Sequence, residues 1–387
     1  MKHPFDSAQL KKRQRKSMLF KSTALLMVAL ALLFLVVFLF NIASKGYSAF
    51  TQSYIYVTVD FSKIKNNPRV AIERQHRRVI SNTWIRNLPN LIKENPSLKN
   101  ETKKLWALAN SEADQYIKGH DNKLKSKDKA LIERLKKENR IKRKFNTILF
   151  THGDSQMPEN SGFFSAIKGT IMTIIITMLV GFPIGVMTAI YLQEFAKDNR
   201  IKQFIEININ NLAAVPSILF GLLGLAIFIN FLGMPRASAL VGGLTLGIMI
   251  LPIIIVTAQS ALRSVPDSIR QAGFAMGLTR WQVVRGFVLP LAMPGILTGS
   301  IISLAQAIGE TAPLLLLGMI TFMPDAPTLV TDATTVMSAQ IYTWSSMPQN
   351  GYIERTSAAI LILLGVMVTL NLLAITLRSR FKKRFNL

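Results

Sequence analysis

Six apolar runs, each long enough to cross a bilayer, set the organisation of this chain. A helical crossing needs about 20 predominantly apolar residues, and the runs lie near 22–44, 164–191, 212–232, 238–259, 291–318 and 356–377. Between the first two runs the pattern changes. YIYVTVDF (54–61) alternates with period two, placing Ile55, Val57 and Val59 on one face, and predicts a strand. The charge-rich stretches 69–88, 98–118 and 126–146 predict helices. The expected division is an N-terminal segment with the first membrane helix (1–44), a mainly helical insert (45–160) and a membrane domain (161–387).

A polar, basic interruption between the fourth and fifth runs carries more detail. Within 264–290 the chain reads RQAGFAMGLTRWQVVRGFVLP from Arg270 onward. Pro266 and Asp267 suit the first turn of a helix, where proline is tolerated and a carboxylate meets the positive end of the dipole. Ile269, Ala272, Gly273 and Met276 follow at helical spacing as one small apolar face, and Gly277 ends the helix. Thr279 with Gln282 three residues on forms a capping box, so a second short helix starts there, and Leu289 with Pro290 leads into the next membrane run.

Composition agrees with a helical membrane protein: half of the 387 residues are hydrophobic and the mean hydropathy is +0.31. The first run follows Lys11, Lys12, Arg13, Arg15 and Lys16, as a signal peptide would. Its apolar core (24–40) exceeds a signal-peptide core and no A-x-A site follows, so an uncleaved anchor is expected. With six spans, the basic residues of the N-terminus, the loops at 197–202 and 263–285, and the C-terminus (Arg378, Arg380, Lys382, Lys383, Arg384) fall on one side. The positive-inside rule makes that side cytoplasmic, with the insert outside.

The net charge of +25 is spread over both faces without interleaved aromatics, which argues against nucleic acid. On the insert, the basic stretch 123–145 reads either as a solvated face with paired charges, such as Glu133 and Lys137, or as a surface for anionic lipid or solute. The chain has no cysteine, its four histidines are scattered, and neither a metal motif nor a G-x-x-x-x-G-K-[ST] loop occurs. No catalytic residue, metal site or cofactor is therefore expected. Any nucleotide chemistry must sit on another subunit.

The 264–290 segment resembles the EAA loop of ABC importer permeases, whose pattern is E-A-A, three residues, Gly, nine residues, then I-x-L-P. Gln271, Ala272 and Gly273 stand at the E-A-A positions, Gly277 matches, Phe287 replaces Ile, and Leu289 and Pro290 match. Further motifs, AIKGT (166–170), VPSILFGL (215–222) and GETAP (309–313), resemble the PstA family of phosphate importer permeases over roughly the last 225 residues, and the insert is similar only to longer variants. The resemblance implies a type I importer permease core in a bacterial inner membrane that docks cytoplasmic ATP-binding subunits through its loop. It also implies a PstC-like companion permease and an extracytoplasmic phosphate-binding protein as partners. Another oxyanion, sulfate or molybdate, is the nearest alternative cargo, and GETAP speaks against it. A membrane-anchored sensor is a third reading, against which only about ten residues follow the last span.

Glu310 stands out on physical grounds, because a carboxylate inside a membrane segment costs about 2.5–3.5 kcal/mol on insertion scales and must face a cavity or a partner. It reads either as a gating or pairing residue or as part of helix packing. In the resembling family an Arg often occupies the position of Gln306, so one positive charge is missing near the path. Gln306, Thr311 and Pro313 join Glu310 as candidates for the path, with Thr170, Thr173, Thr245, Ser300 and Ser303 as further polar groups. Pro183, Pro216 and Pro313 are expected to kink helices, and Gly221, Gly224, Gly243 and Gly247 to let helices approach closely.

Overall fold

The computed structural model describes residues 8–65, 67–99 and 101–384. The outermost parts of the predicted terminal segments, 1–7 and 385–387, lie outside the described residues. Among the described residues, five helices are long and apolar enough to cross a membrane, and with the bent pair counted as one span there are six. The first span is Ala8–Gly46, the second Phe164–Ile190, the fourth Ala239–Arg263, the fifth Leu289–Gly309 and the sixth Asn350–Arg384. The apolar side chains of the first span stay largely exposed, as lipid-facing residues would, and Gly46 at its end packs against the backbone of Ser357 and Ala358 in the sixth span.

The fourth span is the central one. Gly181 and Gly185 of the second span lie against Ile250 and Ile254 of the fourth, and Gly243 of the fourth sits 2.6 Å, measured from a notional Cβ, from Ile176 of the second. At such contacts the missing side chain sets how near two helices can come, which is how membrane helices gain packing energy without a hydrophobic drive. Gly224 meets Thr245 in the same manner, whereas Gly247 makes only ordinary contact.

Two predicted spans differ from continuous helices. The apolar run from 212 hides a 102° bend between an amphipathic helix, Arg200–Ala213, and the helix that starts at Ser217. Pro216 causes the break, because it has no N–H to give and disfavours helical backbone in the residue before it. The run 291–318 likewise stops being one helix at Gly309, and a short helix, Ala312–Leu316, follows the interruption.

Three spans also contain wide, i to i+5 turns: Tyr191–Phe195 at the end of the second, Leu225–Phe231 in the third and Val284–Val288 ahead of the fifth. The last has a plain cause. A proline ring at 290 would press on the carbonyl of residue 286 in a regular helix, and the wide turn, in which Leu289 N–H reaches back to the Val284 carbonyl, relieves that contact.

The insert is built on a three-stranded antiparallel sheet in the order β2-β1-β3, with β1 Thr51–Asp60, β2 Thr102–Leu108 and β3 Ile141–Phe145. The expected strand and its buried face of Ile55, Val57 and Val59 are present. The three predicted helices need correction. Residues 69–88 form short turns and the helix Asn82–Arg86, 98–118 is a strand followed by the helix Ser111–Lys118, and 126–146 is the helix Ser126–Lys137 followed by a strand. Helix still outnumbers strand, and β2 and β3 are held by backbone pairing with β1 rather than by an alternating buried face: β2 is buried only at Ala107 and Leu108, and β3 is exposed from Lys142 to Phe145.

The insert is seated firmly on the bundle. Phe163, Trp344 and Tyr352 stack in a tilted series, and Trp344 Nε1 donates to Asp154 at 2.9 Å. Lys118, almost wholly buried, bridges Asp114 at 2.6 Å and Glu354 of the sixth span at 2.8 Å. Insert and polar loop therefore occupy opposite ends of the second span, whose 32 residues from Phe164 to Phe195 cover about 48 Å at 1.5 Å per residue.

Candidate functional site

The 264–290 segment forms an elbow between the fourth and fifth spans. Its first arm is Asp267–Ala275, with Pro266 at the N-cap, and its second arm begins at Arg280 with the complete Thr279–Gln282 capping box. Gly277 makes the turn between them at φ +79°, a left-handed conformation open to glycine at little cost. The second arm is not a separate helix. It runs without interruption from Arg280 to Gly309, so the elbow is the end of the fifth span itself.

The apolar face read along the first arm is divided. Ile269 and Gly273 turn inward, where Gly273 lies 2.7 Å (from a notional Cβ) from a methyl of Val283 in the second arm. Val265, Leu278 and Val283 extend this contact into the cluster holding Leu192, Leu262 and Ile296. Gln271 and Ala272 face outward with Phe274, Met276 and Trp281, whose exposures are 47%, 63% and 53%. A rigid loop that presents three large apolar side chains is suited to burial by another protein.

Arg270 fixes the elbow, though in the sequence it is one basic loop residue among several. Its Nε and one terminal nitrogen reach the two carboxylate oxygens of Glu194 at 3.2 and 2.7 Å. The remaining donors go to Asp267 at 3.0 Å and to the carbonyls of Val265 and Leu262 at 2.8 and 2.9 Å. Hydrogen bonding to Glu194 outweighs burial and holds the guanidinium pKa above its usual value. The pair is 76 residues apart in sequence, and no local pattern announces it.

The predicted site residues thus fall into two groups. Gln271, Ala272, Gly273 and Gly277 gather at the elbow, while Leu289 and Pro290 are half-buried at the start of the fifth span. Gln306, Glu310, Thr311 and Pro313 lie at the other end of that span, which is 21 residues or about 30 Å long.

At this far end Glu310 is not inside a continuous helix. It caps the fifth span in extended backbone (φ −70°, ψ 134°), and its carbonyl accepts from Ser338 Oγ at 2.8 Å. Its side chain is half-buried, with no cation of the described residues within ion-pair distance. Gln306 is exposed, Thr311 half-buried, and Pro313 buried with its backbone 2.6 Å from a notional Cβ on Gly221. A broken helix is tolerated at membrane depth only where protein or a water-filled cavity surrounds it, and here Gly221 and Ser338 lie against the interruption.

The other polar candidates divide by their bonding. Ser300 and Ser303 bond back to their own helix, and Thr170 accepts from Met337 N–H at 2.8 Å. The hydroxyls of Thr173 and Thr245 are buried without a partner.

Residues 181–387 match a family described as the binding-protein-dependent transport system inner membrane component, and residues 7–70 match a domain of unknown function. The phosphate transport system permease protein PstA 1 of Mycobacterium tuberculosis is 32% identical over 224 residues, covering 57% of this chain and 73% of that protein. PstA 2 of Mycobacterium bovis is 36% identical over 219 residues, covering 56% and 71%. An inward-facing structure of the MetNI methionine ABC transporter aligns over 57% of this chain and 97% of its own at 18% identity, with a TM-score of 0.45.

Proposed function

Because the chain belongs to the family of binding-protein-dependent transport system inner membrane components, we propose that it is a permease subunit of an ATP-driven phosphate importer. The observation that carries the mechanism is the elbow: a hydrogen-bonded, glycine-fitted corner with Phe274, Met276 and Trp281 uncovered at its tip. Phosphate as cargo is supported by relatives named as phosphate transport permeases at 32% and 36% identity over most of their length.

In this reading the elbow faces the cytoplasm and seats in a groove of an ATPase subunit, while the insert and the Glu310 break lie toward the outside. A PstC-like permease completes the path, and a phosphate-binding protein delivers solute to the insert side. Closure of the ATPases pushes the elbow. Since the second arm is continuous with the fifth span, the push reaches the Glu310 break along a single helix. Two arrangements of the bundle are then favoured in turn by ATP and by its hydrolysis.

Glu310 acts as a gate: its charge opposes an anion while the break is open toward solvent, and closure against the neighbouring helices changes that exposure. Purification should recover an ATPase with the chain, and Trp281→Glu should abolish that recovery. Phosphate uptake in a strain lacking its own importer, with sulfate and molybdate as competitors, tests the cargo. Equal competition by sulfate would refute phosphate. Glu310→Gln with normal assembly should change uptake at least several-fold, and unchanged uptake removes the gate.

A further inference from the structure

The elbow is joined by the chain to the fourth and fifth spans, yet its densest set of polar contacts is with the second. Glu194 lies in the wide turn Tyr191–Phe195 at the end of the second span, and both its oxygens are held by Arg270 of the first arm. The next residue, Phe195, lies 6.3 Å from Trp281 of the second arm with the rings tilted by 42°, and the Arg280 guanidinium lies 5.8 Å from the same ring. One five-residue turn therefore contacts both arms, the first through an ion pair and the second through an aromatic face.

The pair has the features of a fitted joint. Side-chain exposure is 15% for Arg270 and 6% for Glu194, and the guanidinium directs all its hydrogen-bonding edges at partners on three elements. A two-pronged guanidinium–carboxylate contact resists rotation as well as separation, which a single point charge does not. The wide turn helps: its i to i+5 bond, Ala196 N–H to the Tyr191 carbonyl at 2.8 Å, swings the side chains that follow away from the helical course. From there the second span runs along the fourth, contacting it through Gly181, Gly185 and Thr177, up to the residues that seat the insert.

We propose that Arg270 and Glu194 form the joint that passes movement of the elbow to the second span, so that the second span moves with the fifth during transport. Arg270 is a positioning residue: it touches neither nucleotide nor solute. The inference rests on the reading of the chain as a permease driven by a separate ATPase. It adds a second route for the stroke, which covalent connection alone confines to the fourth and fifth spans.

The test is phosphate uptake per ATP hydrolysed, measured on the full transporter in liposomes with the binding protein present. The wild-type complex is scored first; hydrolysis without phosphate uptake there counts against the functional reading and leaves the joint to be judged with the cargo that does move. Glu194→Gln and Arg270→Met should keep the ATPase subunits bound and hydrolysis within about twofold, while uptake per ATP falls at least tenfold. Arg270→Lys, which keeps the charge and loses the fork, should fall between. Because the chain has no cysteine, Glu194→Cys with Arg270→Cys can be bridged by a short bifunctional thiol reagent, and bridging should restore uptake per ATP that the unbridged double variant loses. Unchanged coupling in Glu194→Gln overturns the proposal. So does loss of the ATPase subunits from both single variants, which would make the pair a support for docking alone.

Discussion

Gly273→Ala tests the fit of the two elbow arms. A methyl group at that position would stand 2.7 Å from one methyl of Val283 and 3.1 Å from the other, against about 3.5–4.0 Å for unstrained carbon contacts. Overpacking of this kind costs about 1–3 kcal/mol. Replacing a helical glycine by alanine returns about 0.5–1 kcal/mol, so the single variant should lie between neutral and about 2.5 kcal/mol less stable. Val283→Ala removes two buried methyls and should cost about 1.6 kcal/mol at about 0.8 each. In the double variant the new methyl fills vacated space, the clash is gone, and the loss should be only about 1 kcal/mol. The cycle therefore carries a coupling of about 1–3 kcal/mol. Chemical unfolding of the purified chain in micelles, followed by tryptophan fluorescence because Trp281 is in the second arm, measures all four corners. Additivity within about 0.5 kcal/mol, or a Gly273→Ala variant stabilised by the full helix gain, would show that the arms do not touch as described.

Gly277 makes a different demand, since nothing lies within 4 Å of its notional Cβ and only its φ of +79° resists substitution. Gly277→Ala should cost about 1–2 kcal/mol and Gly277→Asn visibly less, read by the same unfolding assay; equal losses would mean crowding rather than backbone strain. Glu159, buried where the insert meets the bundle, has its pKa raised mainly by burial, against opposing hydrogen bonds and the nearby Arg355 charge. A carboxyl that holds its proton more tightly when folded contributes stability below its unfolded value of 4.5, and that contribution is lost as pH rises through the raised folded value. Glu159→Gln should therefore melt above the wild-type chain at pH 8, with the advantage shrinking toward pH 5. A difference independent of pH would assign the effect to packing.

The parts of this molecule that were legible in sequence are those that local chemistry determines. Apolar length marked six crossings because a bilayer imposes a fixed thickness, and Pro266, Gly277 and the Thr279–Gln282 box placed the elbow's turns because each meets a backbone need within four residues. The wide turns were not legible: changing one hydrogen bond from i+4 to i+5 leaves the apolar period nearly intact, and only Pro290 gave a reason for one of them. In the insert, TKKLWAL and IKRKF read as helix because their charges dominate the pattern, although strand pairing with β1 decides them.

The bend at Pro216 and the break at Glu310 meet in the fold, which apolar counting cannot see. The regular helix from Ser217 to Gly224 and its wide turn to Phe231 give 15 residues, about 22 Å of helix against a hydrocarbon core of about 30 Å. The third span is thus too short alone, and Gly221 closes on the backbone of Pro313 just after the fifth span has broken. The helix that follows each interruption packs on the other, Phe220 against the cluster of Leu314 and Leu317, so the two irregular spans make sense only as a pair. If this is right, Gly221→Leu, which drives a side chain into Pro313, should impair uptake as severely as Glu310→Gln while leaving ATPase binding at the elbow intact. Loss of ATPase binding in that variant would place the damage in the fold of the whole bundle, and uptake at the wild-type rate would show that the two breaks are independent.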